Sequence, residues 1–266
     1  LELVELYNSD QTSYYRSSEV EAVIHKALNY WFTAKPVCLN WWYNQIGIPK
    51  TLGTVFILFE KQLTPVEKQN AITVMENAKF GMTGQNKVWL AGNVMMRALL
   101  QNDYELVKMA RDTIASEIVT GGAEGIKDDW CFHQHGAQQQ FGNYGLSFVS
   151  GMSFFSGLFS GTSLAFDDKQ LSILSTLIDK GYRWVIWKGM MDVNALGRQL
   201  FHHAPVHKAL SLAFAASELG GGESDECVAV ATALLRDNYP APAVNVLTGH
   251  KHFWQSDYTI HRRPSW

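Results

Sequence analysis

Apolar side chains recur every three to four positions through most of this 266-residue chain, the period of helices with one buried face. Ser18-x-x-Glu21 has the form of a capping box, and Val20, Val23, Ile24, Ala27, Leu28 and Trp31 follow at helical spacing. Thr64-Pro65-Val66-Glu67 opens a second helix, with proline at the first helical position, where its missing N–H is no loss. Ile72, Met75 and Ala78 continue that face. Asp103 caps a third helix through Leu106, Val107, Ala110, Ile114 and Ile118, which Gly121-Gly122 stops. Asp167 or Asp168 caps a fourth through Leu171, Leu174, Leu177 and Ile178, stopped by Gly181. A further helix runs from Pro205 to Leu219 and ends at Gly220-Gly221-Gly222; Ser224 starts the next, through Leu235.

Long helices joined by glycine-rich loops, without strand signals between them, predict an all-α fold of packed helical hairpins. The texture changes after Tyr239. Pro240, Pro242, Val244-Asn245-Val246-Leu247, Phe253-Trp254 and Tyr258-Thr259-Ile260 read as extended chain. The predicted division is therefore a helical domain over 1–239 and, over 240–266, a linker or the first strand of a β domain.

Composition narrows the partners. Apolar residues make up 47% and charged residues 18%, which favours a sizeable core over disorder. Net charge is −3 with no long basic run, so nucleic acid is not an expected partner. The stretch from Phe141 to Phe166 has no charged residue, but its six serines and five glycines favour a buried helix over a membrane span. Three scattered cysteines, Cys38, Cys131 and Cys227, form neither a C-x-x-C motif nor a disulfide framework. Nine tryptophans leave rings to spare for stacking on sugars.

Candidate chemistry concentrates between Asp129 and Gly145. Two histidines, a tyrosine, four glutamines and an asparagine lie there among glycines, which suits a sugar-facing cleft with His135 and Tyr144 as proton-transfer candidates. Asn40-Trp41-Trp42-Tyr43-Asn44-Gln45 sets three rings among three amides and reads as a ligand-facing surface. Asn86 stands where it could cap a helix. Arg198 and His202 are four apart and could share a helical face. His133-x-His135, His203-x-x-x-His207 and His250-x-His252 lack neighbouring carboxylates, so no metal is expected. Asp128 and Asp129, with Glu124, could instead serve as the acid and base of a glycoside hydrolase.

Taken in order, Asn40-Trp41-Trp42-x-x-x-Ile46-Gly47-x-Pro49, Thr83-Gly84-x-Asn86, Asp129-x-x-Phe132-x-x-His135-Gly136, Gly142-x-Tyr144-Gly145 and Gly197-Arg198 resemble polysaccharide lyase family 8. That family holds chondroitin AC, hyaluronate and xanthan lyases, and the wording is nearest to chondroitin AC lyases. The resemblance implies an incomplete α/α toroid of helical hairpins leading into a β-sandwich region. It also implies that some leading helices and nearly all of the β region lie outside this chain.

The implied reaction is β-elimination on a uronic-acid glycosaminoglycan, chondroitin sulfate or hyaluronan, without a cofactor. The implied setting is secreted or periplasmic, with no membrane partner. By resemblance, Asn86 and His135 contact the substrate carboxylate. Tyr144 is the base and the donor to the leaving oxygen, with His135 as the alternative base. Arg198 stabilises the phenolate, and Asn40, Trp41, Trp42 and His202 bind substrate. His202 stands where the family often has a second arginine. The family's catalytic glutamate comes from the β region, so the isolated chain is expected to be weakly active or inactive. The remaining readings are the toroid glycoside hydrolase and a non-catalytic glycan-binding fragment.

Overall fold

The computed structural model describes residues 1–220, 230–232 and 247–263. The chain divides into two compact units, Leu1–Met82 with Asn86–Ile114, and Thr83–Gln85 with Ala115–Trp266.

The first unit is built from α1 (Glu2–Asn8), α2 (Ser18–Ala34), α3 (Ile48–Leu58), α4 (Pro65–Met75), α5 (Gly84–Gln101, its first two residues belonging to the other unit) and α6 (Tyr104–Ala115, its last residue belonging to the other unit). On α2, Val20, Ile24, Leu28 and Phe32 are buried at intervals of four, one stripe of the helix. They pack with Val4 and Tyr7 of α1, Val55, Phe56 and Phe59 at α3, and Ala71 and Met75 of α4.

The capping box expected at Ser18 does not form. Ser17 is the cap, and its hydroxyl accepts from Val20 N; Ser18 is already helical. Glu21 turns away from the helix end to accept a 2.5 Å hydrogen bond from the Tyr7 hydroxyl, so a tertiary contact has claimed the carboxylate. At α4 the expected box is complete. Thr64 Oγ1 accepts from Glu67 N, and Thr64 N donates back to Glu67 Oε2 at 2.9 Å.

Glu67 does more than cap. It is 2% exposed, its Oε1 lies 2.8 Å from His25 Nδ1, and it accepts from Asn29 Nδ2 at 2.9 Å. Burial opposes its ionisation, yet the Thr64 and His25 donors outweigh burial and hold the carboxyl below the ordinary carboxylate range. A lowered carboxyl contributes stability that is present above the ordinary carboxylate range and is lost as pH falls through the lowered value. Glu67→Gln is therefore expected to cost about 2–3 kcal/mol near neutrality, with a smaller penalty in acid. Urea melts of both proteins across pH 3–7 read this directly, and parallel pH curves would refute it.

The second unit opens on two short antiparallel strands, β1 (Gly125–Ile126) and β2 (Phe132–His133). A π-helical turn over Phe141–Gly145 runs into α7 (Leu146–Phe159). α8 (Asp168–Thr176) continues through a second π turn, Leu177–Tyr182, into α9 (Arg183–Val185), followed by β3 (Ile186–Trp187), β4 (Met190–Met191) and a 3-10 turn, Val193–Ala195. α10 (Ala204–Gly220) packs on α7, α8 and β4. β5 (Gly249–Phe253) and β6 (Tyr258–Arg262) form an antiparallel hairpin.

Asp103 and Asp167 cap as expected, Asp167 within a capping box with Gln170. Two helix ends were expected elsewhere. α6 stops at Ala115, short of Gly121-Gly122, because Ile118 N turns back to the Ala115 carbonyl. The α8 helix does not end at Gly181 but carries it inside the π turn, where any Cβ would run into the Trp130 carbonyl. α7 is buried on one face through Phe148, Val149 and Met152, and leaves Phe154 and Leu158 exposed. No described helix is long and apolar enough to cross a membrane.

The two-residue strand pairs are too short to show alternation, which is why the sequence reads as purely helical. The expected helix from Ser224 to Leu235 lies outside the described residues except for 230–232, which are helical. Gly221-Gly222, Cys227, the segment from Tyr239 to Val246 and the expected domain division at 239/240 also lie outside them. Phe253 and Tyr258-Thr259-Ile260 are extended as expected, in β5 and β6, and Trp254 lies in the turn between them.

Candidate active site

The segment from Asp129 to Gly145 folds as two successive turns and a widened helical turn, each placing one candidate residue. Lys127 N donates to the Cys131 carbonyl and Trp130 N to the Lys127 carbonyl, both at 2.9 Å, closing the β1–β2 turn. Asp129 is buried inside it and accepts from Cys131 N at 3.0 Å and Gln255 N at 2.7 Å. His133 is also buried, with Nε2 2.8 Å from Ser256 Oγ. Burial first, and the Lys127 cation second, push the His133 imidazole below its ordinary range, so it stays neutral. Asp129 and His133 thus fasten the segment to the β5–β6 turn and are occupied there.

The second turn reverses the chain at Gly136. Gln138 N donates to the Gly136 carbonyl at 2.8 Å, and Gln140 N to the Phe132 carbonyl at 2.8 Å. His135, at the tip, is held at φ +62°, a left-handed conformation unusual for a residue with a side chain. Residues 141–145 then form the π turn, a form enriched at functional sites because it re-aims one side chain within a helix.

That re-aimed side chain is Tyr144. Its hydroxyl lies 2.9 Å from His135 Nε2 and accepts a 2.7 Å hydrogen bond from Arg198 Nη2. The His135 and Tyr144 rings meet edge-on at 5.0 Å, and the Arg198 guanidinium stands 5.4 Å from the Tyr144 ring centre. One phenol oxygen therefore joins an imidazole and a guanidinium, a geometry suited to moving a proton and holding the charge left behind.

Glycine makes the approach possible. A Cβ on Gly142 would stand 2.7 Å from Leu196 Cα, so the π turn lies directly on the turn that carries Arg198. Beneath it, the fully buried Tyr182 donates to the Phe141 carbonyl at 3.0 Å. Gly142→Ala is expected to destabilise the protein by about 2–3 kcal/mol, since backbone cannot give way as a side-chain tip can. The melting temperature should then fall by about 4–10 °C; a scan within 1 °C of the wild type would show that the two turns are not in contact.

Several expected placements are corrected. Arg198 and His202 do not share a helical face: Gly197, at φ +69°, turns the chain and α10 begins only at Ala204. His202 is exposed, with its ring 3.7 Å from that of His203. His203, at φ +61°, immediately precedes α10; His207 N donates to its carbonyl at 3.1 Å, and the two rings lie 6.4 Å apart. The glutamines are not sugar-facing as a group. Gln134 and Gln140 are buried, Gln134 accepting from Gln85 N at 3.0 Å. Of the carboxylates proposed for hydrolysis, Asp129 is buried on N–H donors and Glu124 accepts from the Thr83 hydroxyl, Gln134 Nε2 and His135 N, whereas Asp128 is exposed. The contact of Glu124 with His135 has no signature in sequence spacing; it follows from the β1–β2 register.

In the first unit, Asn40 Oδ1 accepts from Trp42 N at 3.0 Å, and Asn44 bonds both the N–H and the carbonyl of Cys38. These amides shape the loop. Trp42 packs edge-on to Trp89 at 5.6 Å, beside Ile46, Ala78 and Leu90, whereas Trp41 is exposed. Asn86 is not a cap; it is two residues inside α5 and buried, and its Oδ1 has no hydrogen-bond partner among the described residues.

The comparisons with known proteins agree in kind. A family model described as polysaccharide lyase family 8, N-terminal alpha-helical domain, matches residues 1–217. The chondroitinase-AC of Pedobacter heparinus is 28% identical over 272 residues, covering 99% of this chain and 38% of that protein. A xanthan lyase of a Bacillus species is 26% identical over 201 residues, covering 71% of this chain and 22% of that protein. The solved structure of a chondroitinase AC lyase with oligosaccharides superposes with a TM-score of 0.84 at 27% identity, over 98% of this chain and 40% of that one. The chain thus spans about two fifths or less of these relatives' lengths. Its fold class is the α/α toroid of helical hairpins. On this match, this chain belongs to polysaccharide lyase family 8 and carries that family's N-terminal α-helical domain.

Proposed function

We propose that the protein containing this chain is a polysaccharide lyase that cleaves a uronic-acid glycosaminoglycan, of the chondroitin sulfate or hyaluronan type, by β-elimination. The observation that supports it best is the single phenol oxygen of Tyr144 held between His135 Nε2 and Arg198 Nη2. Elimination needs a base for the C5 proton of the uronic acid and an acid for the oxygen leaving C4. Tyr144 serves both: its deprotonated oxygen takes the C5 proton, the C4–O bond breaks as the C4–C5 double bond forms, and the phenol returns the proton to the departing oxygen. His135 accepts the phenol proton beforehand, and Arg198 holds the resulting negative charge.

Proton loss next to a carboxylate builds further charge on an anion, so preplaced donors must first neutralise it. By resemblance that falls to Asn86 and to His135, which is protonated once it has taken the phenol proton. Trp41, exposed, supplies a stacking face for a sugar, with Asn40, Trp42 and His202 completing the proposed binding set. A polymer of this size is met outside the cytoplasm, which places the enzyme in a secreted or periplasmic setting. The reaction itself calls for no cofactor.

The test is the product. Given chondroitin sulfate or hyaluronan, a preparation extended to the length of its relatives is expected to release oligosaccharides that absorb in the ultraviolet through a C4–C5 double bond. Saturated products would overturn elimination, and binding without cleavage would make this a glycan-binding protein.

A further inference from the structure

A residue outside the proton-transfer group fixes its geometry. β1 and β2 pair with Gly125 opposite His133, so the residue before β1, Glu124, falls opposite Gln134, beside His135. There its two carboxylate oxygens are divided. Oε1 accepts from His135 N at 2.7 Å; Oε2 accepts from Thr83 Oγ1 at 2.6 Å and from Gln134 Nε2. Gln134 in turn accepts from Gln85 N, and Gly84 N donates to Glu117 Oε2 at 2.8 Å. Every one of these residues belongs to the second unit.

The carboxylate lies where the backbone needs support. His135 is at φ +62° and Gly136 at φ +82°, so two consecutive residues are left-handed at the tip of an exposed turn. A histidine in that region is strained by about 1–2 kcal/mol and keeps the conformation only if its surroundings impose it. A charged acceptor on the His135 N–H is such an imposition, since hydrogen bonds to ionised groups are the strong ones. The imidazole hangs from that backbone, and its Nε2 reaches Tyr144 from it.

We propose that Glu124 is a positioning residue: its carboxylate, braced by Thr83 and Gln134, sets the left-handed backbone of His135 and so aims the imidazole at Tyr144. The catalytic consequence rests on the proposed elimination reaction; the structural one does not.

Glu124→Gln keeps the shape of the side chain but turns one acceptor oxygen into an N–H donor. It is expected to retain the fold, to lower kcat about 10- to 100-fold, and to leave oligosaccharide affinity within about threefold with calorimetric stoichiometry near one. A loss of properly folded molecules would lower stoichiometry instead. In amide exchange, the His135 N–H of the wild type should be protected despite its exposed position and should lose protection in Glu124→Gln. Thr83→Val, which removes a brace but not the acceptor, should stay within about threefold in kcat. A wild-type His135 amide that exchanges at the free rate overturns the proposal whether or not any variant folds. So does a Glu124→Gln protein with unchanged exchange, or with kcat within twofold of the wild type. If the extended protein forms no unsaturated product, the elimination reading fails, while the exchange experiment still decides the role of Glu124.

Discussion

Tyr144→Phe should abolish nearly all turnover and leave binding almost intact. The substitution removes one oxygen from a ring that is buried and packed against His135 and Arg198, so the ring contacts remain. Positioned acid–base groups contribute about 10²–10⁴-fold, and here one atom is assigned both the proton removal and the proton return. A loss of about 10³-fold or more in kcat is expected, with substrate affinity within about threefold, as befits an interaction made chiefly in the transition state. The measurement is the initial rate of ultraviolet absorbance with chondroitin sulfate or hyaluronan, together with calorimetric binding of an oligosaccharide. A variant within tenfold of the wild-type rate would remove Tyr144 from the chemistry and leave His135 as the base. A variant that no longer binds would make the hydroxyl a substrate contact.

Much of the helical framework was legible from local rules. Thr64 and Asp167 cap where a small acceptor precedes an apolar run and a Glu or Gln follows three residues later. The miss at Ser17 and Ser18 shows the limit of that rule. Both residues can cap, and what decides between them is the Tyr7 hydroxyl, fourteen residues from Glu21, which draws the box glutamate away. Spacing along one helix carries no record of a partner on another.

The site shows the same division. The order of motifs picks out His135, Tyr144 and Arg198, and the fold brings these three together. The sequence could not show that Tyr144 stands in a π turn, because five residues of widened helix have the same composition as five of ordinary helix. Nor could it show that Gln134 and Gln140 point inward. Their burial follows from the reversal at Gly136, which presses the return strand back against Phe132. Arg198 and His202 illustrate the converse error. A spacing of four implies a shared face only inside a helix, and Gly197 at φ +69° ends that possibility one residue before Arg198.

Arg198→Gln is expected to lower kcat about 10²–10³-fold, Arg198→Lys about 10-fold. The guanidinium makes a directed 2.7 Å hydrogen bond to the Tyr144 oxygen and lies against its ring, so it offers charge, a fixed N–H and a flat face together. Lysine keeps the charge but not the planar fork, and glutamine keeps only an N–H. The informative measurement is the double variant. If Arg198 acts through the phenol oxygen, removing that oxygen removes its purpose, and Arg198→Gln in a Tyr144→Phe background should lower the residual rate by less than about threefold. Two losses that multiply would instead place the guanidinium on the substrate, neutralising the uronate carboxylate directly. The cycle thus separates a cation that holds charge on the base from one that holds charge on the sugar, two roles that either single variant leaves unresolved.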